Sequence, residues 1–366
     1  MCEGCSESRG LSVSTSASNL DLQLTGGPEA SRADSSCSSQ HPQSTEKCLF
    51  ALEVEPWCPS RFCLEGRLQE APRNDGQVLL MLDALTGGRV AVKRMPNTWV
   101  GKNHTEFVHR HPTETERPWV GMGCAAYLQA LAFPYTCPLV GVFRDEKHTM
   151  FVTELASGGD LFCAASHSVP PGPAREAQWQ PFAVQLLNAV RQLHDLSIVH
   201  RDLSPENVLL SRRASDGAFQ LQLTDFCMAT SSRWCQFGAC GKPSYQPPEG
   251  HKDEAIDGFL GDTFAVGVTL YATLVGEYPW LSTRPGACKA FAYFRKHGFH
   301  RFVKERRLSG RPKKVAQHMS EPLMQLLSGL LAVRLEQRLT LGEADWLCGS
   351  ARPCVWQERW VHLPTC

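Results

Sequence analysis

The chain of 366 residues is 42% hydrophobic, enough for a substantial core, longer than one small domain and short for three, so a two-lobed globule fits. Lys plus Arg equals Asp plus Glu at 37 each, a balance that argues against a nucleic-acid or polyanion-binding protein and predicts no strongly basic face. No apolar run reaches the roughly 18 to 20 residues of a membrane span, no basic-then-apolar secretory pattern is present, and the 16 cysteines are scattered, which together predict a soluble, cytoplasmic protein with mostly reduced thiols.

Residues 1–46 are rich in Ser, Thr, Gly, Asp and Glu and poor in large apolar side chains, so a disordered tail is expected there. Its Cys2 and Cys5 form a lone C-x-x-C; a structural zinc needs four ligands and no second pair follows, and acylation has no basic or amphipathic support nearby. From Gln77 the run Val78-Leu79-Leu80-Met81-Leu82, the turn pair Gly87-Gly88 and the run Val90-Ala91-Val92 predict a hairpin whose second strand ends at Lys93. Phe182, Leu186, Val190 and Leu193 recur at helical spacing, as do Leu323, Leu326, Leu327 and Leu330 behind a Ser320 cap. Strands dominate early and helices late, no internal repeat is visible, and 348–366, around Trp356 to Trp360, reads as a short tail or closing segment.

The chemistry is concentrated between. Residues 200–210 read His-Arg-Asp-Leu-Ser-Pro-Glu-Asn-Val-Leu-Leu, and Asp225-Phe226 follows. Phosphoryl transfer from a metal-bound nucleotide needs one carboxylate to receive the substrate's hydroxyl proton, and an amide and a second carboxylate to hold Mg²⁺. Asp202, Asn207 and Asp225 stand at the required intervals. The segment resembles the catalytic loop of protein kinases, and the resemblance extends from about residue 60 to 347: Val90-Ala91-Val92-Lys93 is similar to the strand whose lysine grips the α- and β-phosphates, Pro247-Pro248-Glu249 to A-P-E, and Asp262 with Gly267 to the start of the central helix.

That likeness implies an α+β, bilobal fold, with a small β-rich N-lobe over about 47–155, a larger helical C-lobe over about 156–347, and ATP and Mg²⁺ between them. It implies Asp202 as base, Lys93 on the phosphates, and Asn207 and Asp225 on the metal. Thr153 would be the gatekeeper, Glu154-Leu155-Ala156 the hinge, Asp160 a ribose contact, and Gly76, Val78, Ala91, Glu206 and Leu209 further nucleotide-site residues. Arg338 would pair with a buried Glu249, and losing one partner should cost on the order of 3 to 5 kcal/mol.

Several positions depart from the family pattern. The phosphate-covering glycine loop falls in register with Ala71, Arg73, Gly76 and Val78, so one glycine of three is kept and the grip on phosphate loosens. The helix glutamate that should pair with Lys93 falls on Gly121 or Cys124, neither able to pair, and Glu116 substitutes only if the helix start is displaced. Ser204 stands where a catalytic lysine is usual, while Lys242 replaces a threonine before Pro243-Ser244-Tyr245; Lys242 is therefore expected to supply the charge missing at 204. Cys227 replaces the glycine of Asp-Phe-Gly, and with Cys235 and Cys240 it reads either as a redox gate or, the weightier reading, as an inert thiol. Arg201 precedes the catalytic Asp as in kinases switched by phosphate, with Thr230, Ser231 and Ser232 nearby as acceptors.

The resemblance thus implies a protein Ser/Thr kinase transferring the γ-phosphate of ATP to a protein hydroxyl. Its main rival is a pseudokinase acting as a nucleotide-binding or scaffolding module; a small-molecule kinase fits less well, because Tyr245 to Glu249 resembles a peptide-docking segment. Glu206 and Asp160 would favour basic residues upstream of the target. Oligomeric state is not legible.

Overall fold

A computed structural model describes residues 52–71, 75–213, 216–238, 240–310, 312–347 and 352–363. The expected tail of 1–46, with Cys2 and Cys5, lies outside the described residues, as does Arg73 of the glycine-loop register.

Period-two burial organises the first half. In β3 (Gly76–Asp83) the buried positions include Gly76, Leu79, Met81 and Asp83, and the strand pairs antiparallel with β2 (Phe62–Ala71) and β4 (Arg89–Pro96). With β1 (Glu55–Pro56), β5 (Leu139–Arg144) and β6 (His148–Glu154) they form a six-stranded sheet in the order β1-β5-β6-β4-β3-β2. The hairpin around Gly87 and Gly88 is as expected, but Lys93 does not end its second strand. Arg94, Met95 and Pro96 continue β4 by pairing with Met150, Thr149 and His148 on β6, so Lys93 sits mid-strand with pairing on both sides. That pairing, invisible in the local sequence, makes its backbone rigid.

Packed against this sheet are α1 (Asn97–Val100), α2 (His104–Arg110) and α3 (Pro118–Ala130), through Met95, Val100, Phe107, Trp119 and Met122. The sheet-rich N-terminal part and the helical C-terminal part give the α+β kinase-like fold. The helical part includes α4 (Leu161–Ser166), α5 (Pro173–Asp195), α6 (Gly258–Val275), α7 (Lys289–His297), α8 (Phe299–Glu305), α9 (Glu321–Leu330) and α10 (Ala344–Leu347). The two helices read from apolar spacing are α5 and α9, and Ser320 caps α9 by accepting from Leu323 N–H at 3.3 Å.

Helix α6 has the length and mean hydropathy, 1.4 over 18 residues, of a membrane-crossing segment, yet 94% of it is buried in the protein. It is the axis of the C-terminal core, packed by α5 and α9. At Gly267 a Cβ would lie 2.9 Å from Leu330 and Leu331, so the absent side chain lets α6 and α9 approach.

Two charged clusters inside this core are paired. Arg338, fully buried, makes the expected bidentate pair with Glu249 at 2.5 and 3.0 Å and also donates to the Leu260 and Ala332 carbonyls. His194 is held between Glu343 at 2.8 Å and Asp262 at 3.3 Å, all three buried. Burial alone would lower the His194 pKa, but hydrogen bonds to Asp262 and Glu343 outweigh it and bring it to about 9. A raised folded-state value stabilises fully below the unfolded value of about 6.5, and that contribution disappears as pH climbs through about 9. Stability should therefore be lower above pH 9 than near pH 6.5, by about 3 kcal/mol, and thermal unfolding should occur at correspondingly lower temperature. In His194→Gln the slope over that window should flatten; an unchanged slope would contradict the pairing.

Residues 352–363 close the C-terminal part against α5. Trp360 is buried and donates from Nε1 to Glu176 at 3.1 Å, while Gln180 donates to the Trp360 carbonyl at 2.8 Å.

The expectation of no basic face fails. Charge balance is global, but 11 Lys and Arg residues and a single acidic residue, Glu305, fall between 284 and 314. Lys289, Arg295, Lys296, Arg301, Lys304 and Arg307 on α7, α8 and the following turn are all exposed.

Candidate active site

Between the sheet and the helical part lies a cleft of about 520 Å³. Every residue predicted from sequence for the nucleotide, the metal and catalysis lines it except Lys242. Val78 and Ala91 come from the sheet above and Leu209 from below; Thr153, Glu154 and Ala156 form the connection at the back, and Asp160 stands at the rim. Asp160 also caps α4 by accepting from Cys163 N–H at 2.7 Å, which fixes its carboxylate. Gly76 opens β3 directly over the cleft, so the β2–β3 hairpin keeps its place although two of its glycines are replaced.

The loop 200–207 is immobilised from below. Asp262, inside α6, accepts from the His200 N–H at 2.6 Å and the Arg201 N–H at 2.9 Å. Arg201 and Asp225 both have left-handed backbone, φ +63° and +59°, a cost that surrounding bonds must offset. Beneath Asp225, His200 Nε2 lies 3.1 Å from the Thr224 carbonyl. Asn207 donates from Nδ2 to the Asp202 carbonyl at 2.7 Å and to its carboxylate at 2.9 Å. This orients both side chains and leaves Asn207 Oδ1 as the oxygen able to face a cation.

Lys93 Nζ lies 3.3 Å from both oxygens of Asp225 and 3.7 Å from Cys227 Sγ. It also lies 3.8 Å from Glu116 Oε1. Burial opposes its charge, but Asp225, Cys227 and Glu116 overcome burial and hold the ammonium above the ordinary lysine range. For Asp225, burial is likewise outweighed by Lys93 and the pKa falls to about 2. Burial pushes the Asp202 carboxyl up, with Lys242 and His200 pulling against it.

A glutamate does stand beside Lys93, from just outside the helix. Helix α3 starts at Pro118, whose lack of an N–H suits a first turn, and Glu116 two residues before it reaches Lys93. Neither Gly121 nor Cys124 takes that role; Cys124 is buried and its thiol is pushed up by burial alone. Gly121 faces the turn 226–228: a Cβ there would stand 2.6 Å from Cys227 Sγ and 3.1 Å from its backbone nitrogen. Arg117 N–H donates to the Cys227 carbonyl at 2.8 Å. The two departures, a helix position without a side chain and an Asp-Phe-Cys in place of Asp-Phe-Gly, therefore fill one space between them.

Lys242 reaches the loop 200–207 from the other side. Its Nζ lies 2.5 Å from Ser204 Oγ and 3.2 Å from Glu206 Oε2. Tyr278 OH adds a contact to the other Glu206 oxygen at 3.4 Å. Glu206 is thus engaged by a cation of the chain itself.

Arg201 donates to the Met228 carbonyl at 2.6 Å and the Gln236 carbonyl at 3.0 Å, so backbone oxygens occupy it. Cys227, Cys235 and Cys240 are all buried and burial raises each thiol, Cys235 to about 12. Such thiols form little thiolate, in keeping with the inert reading over the redox gate.

Residues 74–347 match the protein kinase domain family. The chain is 27% identical over 340 residues to serine/threonine-protein kinase DCLK2 of Mus musculus, covering 92% of this chain and 39% of that protein. It is 31% identical over 219 residues to the Homo sapiens protein of the same name, covering 59% of this chain and 26% of that protein. With CBL-interacting serine/threonine-protein kinase 17 of Arabidopsis thaliana it shares 30% identity over 212 residues, 57% of this chain and 44% of the relative. Fold, cleft and family match agree: the chain belongs to the protein kinase family. It spans less than half the length of these relatives.

Proposed function

We propose that this chain is a protein Ser/Thr kinase that transfers the γ-phosphate of ATP to a protein hydroxyl. The observation that carries the reading is the joint placement of Lys93, Asp202, Asn207 and Asp225 on one cleft, each fixed by a named partner. Adenine would lie between Val78, Ala91 and Leu209 against the 154–156 connection, and the phosphates would reach Lys93. The hard oxygens of Asn207 and Asp225 suit Mg²⁺. Among the described residues no three His, Cys, Asp or Glu side chains gather as a metal site, so phosphate oxygens and water would complete the shell, as Mg²⁺ commonly accepts. When bound, Mg²⁺ neutralises phosphate charge. Asp202, oriented by Asn207, receives the proton of the attacking hydroxyl. Lys242 is assigned the γ-phosphate charge that Ser204 does not supply.

The rival, a pseudokinase scaffold, draws on the eroded glycine loop. Nucleotide binding is tested first by thermal shift: Mg-ATP should stabilise the fold by about 2.7 kcal/mol at a hundredfold excess over Kd and so raise the unfolding temperature. Lys93→Met and Asp225→Asn should each abolish most of the shift. No shift in the unmodified chain would remove the nucleotide site.

A further inference from the structure

We infer that the basic face of α7, α8 and the turn after them docks acidic, Asp- and Glu-rich segments of protein substrates; the inference rests on the kinase reading above. Lys289 and Lys296 are seven residues apart on α7 and share a face, as Arg301 and Lys304 do on α8. An isolated bridge between Arg307 and Lys314 folds the next turn back beside them. Basic side chains at 306 and 314 have internal uses: Arg306 donates to the Tyr278 and Pro279 carbonyls, and Lys314 lies 3.6 Å from Glu305. By contrast Lys289, Arg295, Lys296, Arg301, Lys304 and Arg307 are exposed and form no ion pair with a described residue. Concentrating unneutralised cations in this way costs self-repulsion, which an anionic partner would relieve.

The face is tied to the site. The segment leading into α7 is stitched to the loop that follows Lys242: Trp280 Nε1 donates to the Ser244 carbonyl at 3.0 Å, Ser244 Oγ to the Leu281 carbonyl at 3.0 Å, and Thr283 Oγ1 to the Gln246 carbonyl at 2.7 Å. A polypeptide presenting a hydroxyl to Asp202 and crossing this loop runs onto the basic helices. Within the site, Lys242 already offsets Glu206, so the approach carries no strong demand for substrate cations. The composition of the face favours a polypeptide over other polyanions. Phe291, Phe294, Phe299 and Phe302 point inward and are buried, leaving no exposed large aromatic between 284 and 313 on which a base would stack. No large aliphatic side chain is exposed there to enter a bilayer.

The test uses the full chain and two fluorescent peptides with the same acceptor serine, one followed by a block of Asp and Glu and one by Gly and Ser. Anisotropy without ATP should show the acidic peptide binding at least tenfold more tightly, with affinity falling as salt rises. The variant Arg295→Glu/Lys296→Glu/Arg301→Glu/Lys304→Glu should lose that preference, and kcat/KM for the acidic peptide should drop at least tenfold while that for the neutral peptide holds. Should the reversal unfold the protein, the four Gln substitutions serve instead. Equal binding of the two peptides, or an unchanged preference in the variant, overturns the inference. So does displacement of the acidic peptide by single-stranded DNA or phosphatidylserine vesicles that bind the face more tightly. Acidic binding without phosphate transfer would leave the docking face standing and place the failure in the kinase reading.

Discussion

Replacing Lys242 by Ala is expected to lower phosphate transfer by 10²- to 10³-fold, the usual cost of removing one preorganised group from developing charge. In the family a lysine two residues after the catalytic aspartate meets the γ-phosphate. Here that position is Ser204, fully buried, with the Lys242 ammonium 2.5 Å from its hydroxyl. A cation from another segment thus stands against position 204. Exchange should therefore work in both directions: Lys242→Thr together with Ser204→Lys should recover at least a tenth of the starting rate, whereas Ser204→Lys alone would place two ammonium groups against each other and should impair transfer. Nucleotide affinity should change far less than turnover. A Lys242→Ala protein that transfers at the original rate would remove Lys242 from the site.

Gly121 should be intolerant of even one methyl group. A Cβ at 2.6 Å from Cys227 Sγ is inside contact distance, and the neighbouring atoms are backbone nitrogen and Cα, which cannot move aside cheaply. Gly121→Ala should cost about 1 to 3 kcal/mol as overpacking, with a further loss of activity because the turn 226–228 holds Asp225. The penalty should shrink when Cys227→Gly is added, giving a coupling of at least about 1 kcal/mol in a double-mutant cycle on thermal unfolding. Gly121→Glu, which places the family's residue at one of its two candidate positions, should therefore damage this protein. Equal costs of Gly121→Ala in the two backgrounds would show that the residues do not share one space.

How much of this was legible follows from where the information lies. Asp202 and Asn207 are legible because a short loop sets their spacing, Asp225 because a hairpin over 208–223 returns the chain to them, and the Glu249–Arg338 pair because both positions carry a recognisable pattern. The limits of β4 were missed at Lys93, since Arg94 to Pro96 are held in the strand by β6, more than 50 residues away. Glu116 lies before its helix, so the register that works for a glutamate inside the helix passes over it. Gly121 and Cys227 each looked like erosion, and only their contact across 106 residues shows that they fit each other. The three-way pairing of His194, Asp262 and Glu343 likewise needs three distant segments. Lys242 was readable because two departures of opposite sign occurred at once. The basic face was hidden by an overall charge of zero.

Phosphate transfer itself is measured by following labelled γ-phosphate from Mg-ATP to the chain itself and to acidic and basic generic acceptor proteins, in wild type and in Asp202→Asn. Transfer by the wild type that disappears in Asp202→Asn is the predicted result. Absence of transfer from a wild-type protein whose nucleotide binding is preserved would contradict it and make the chain a pseudokinase.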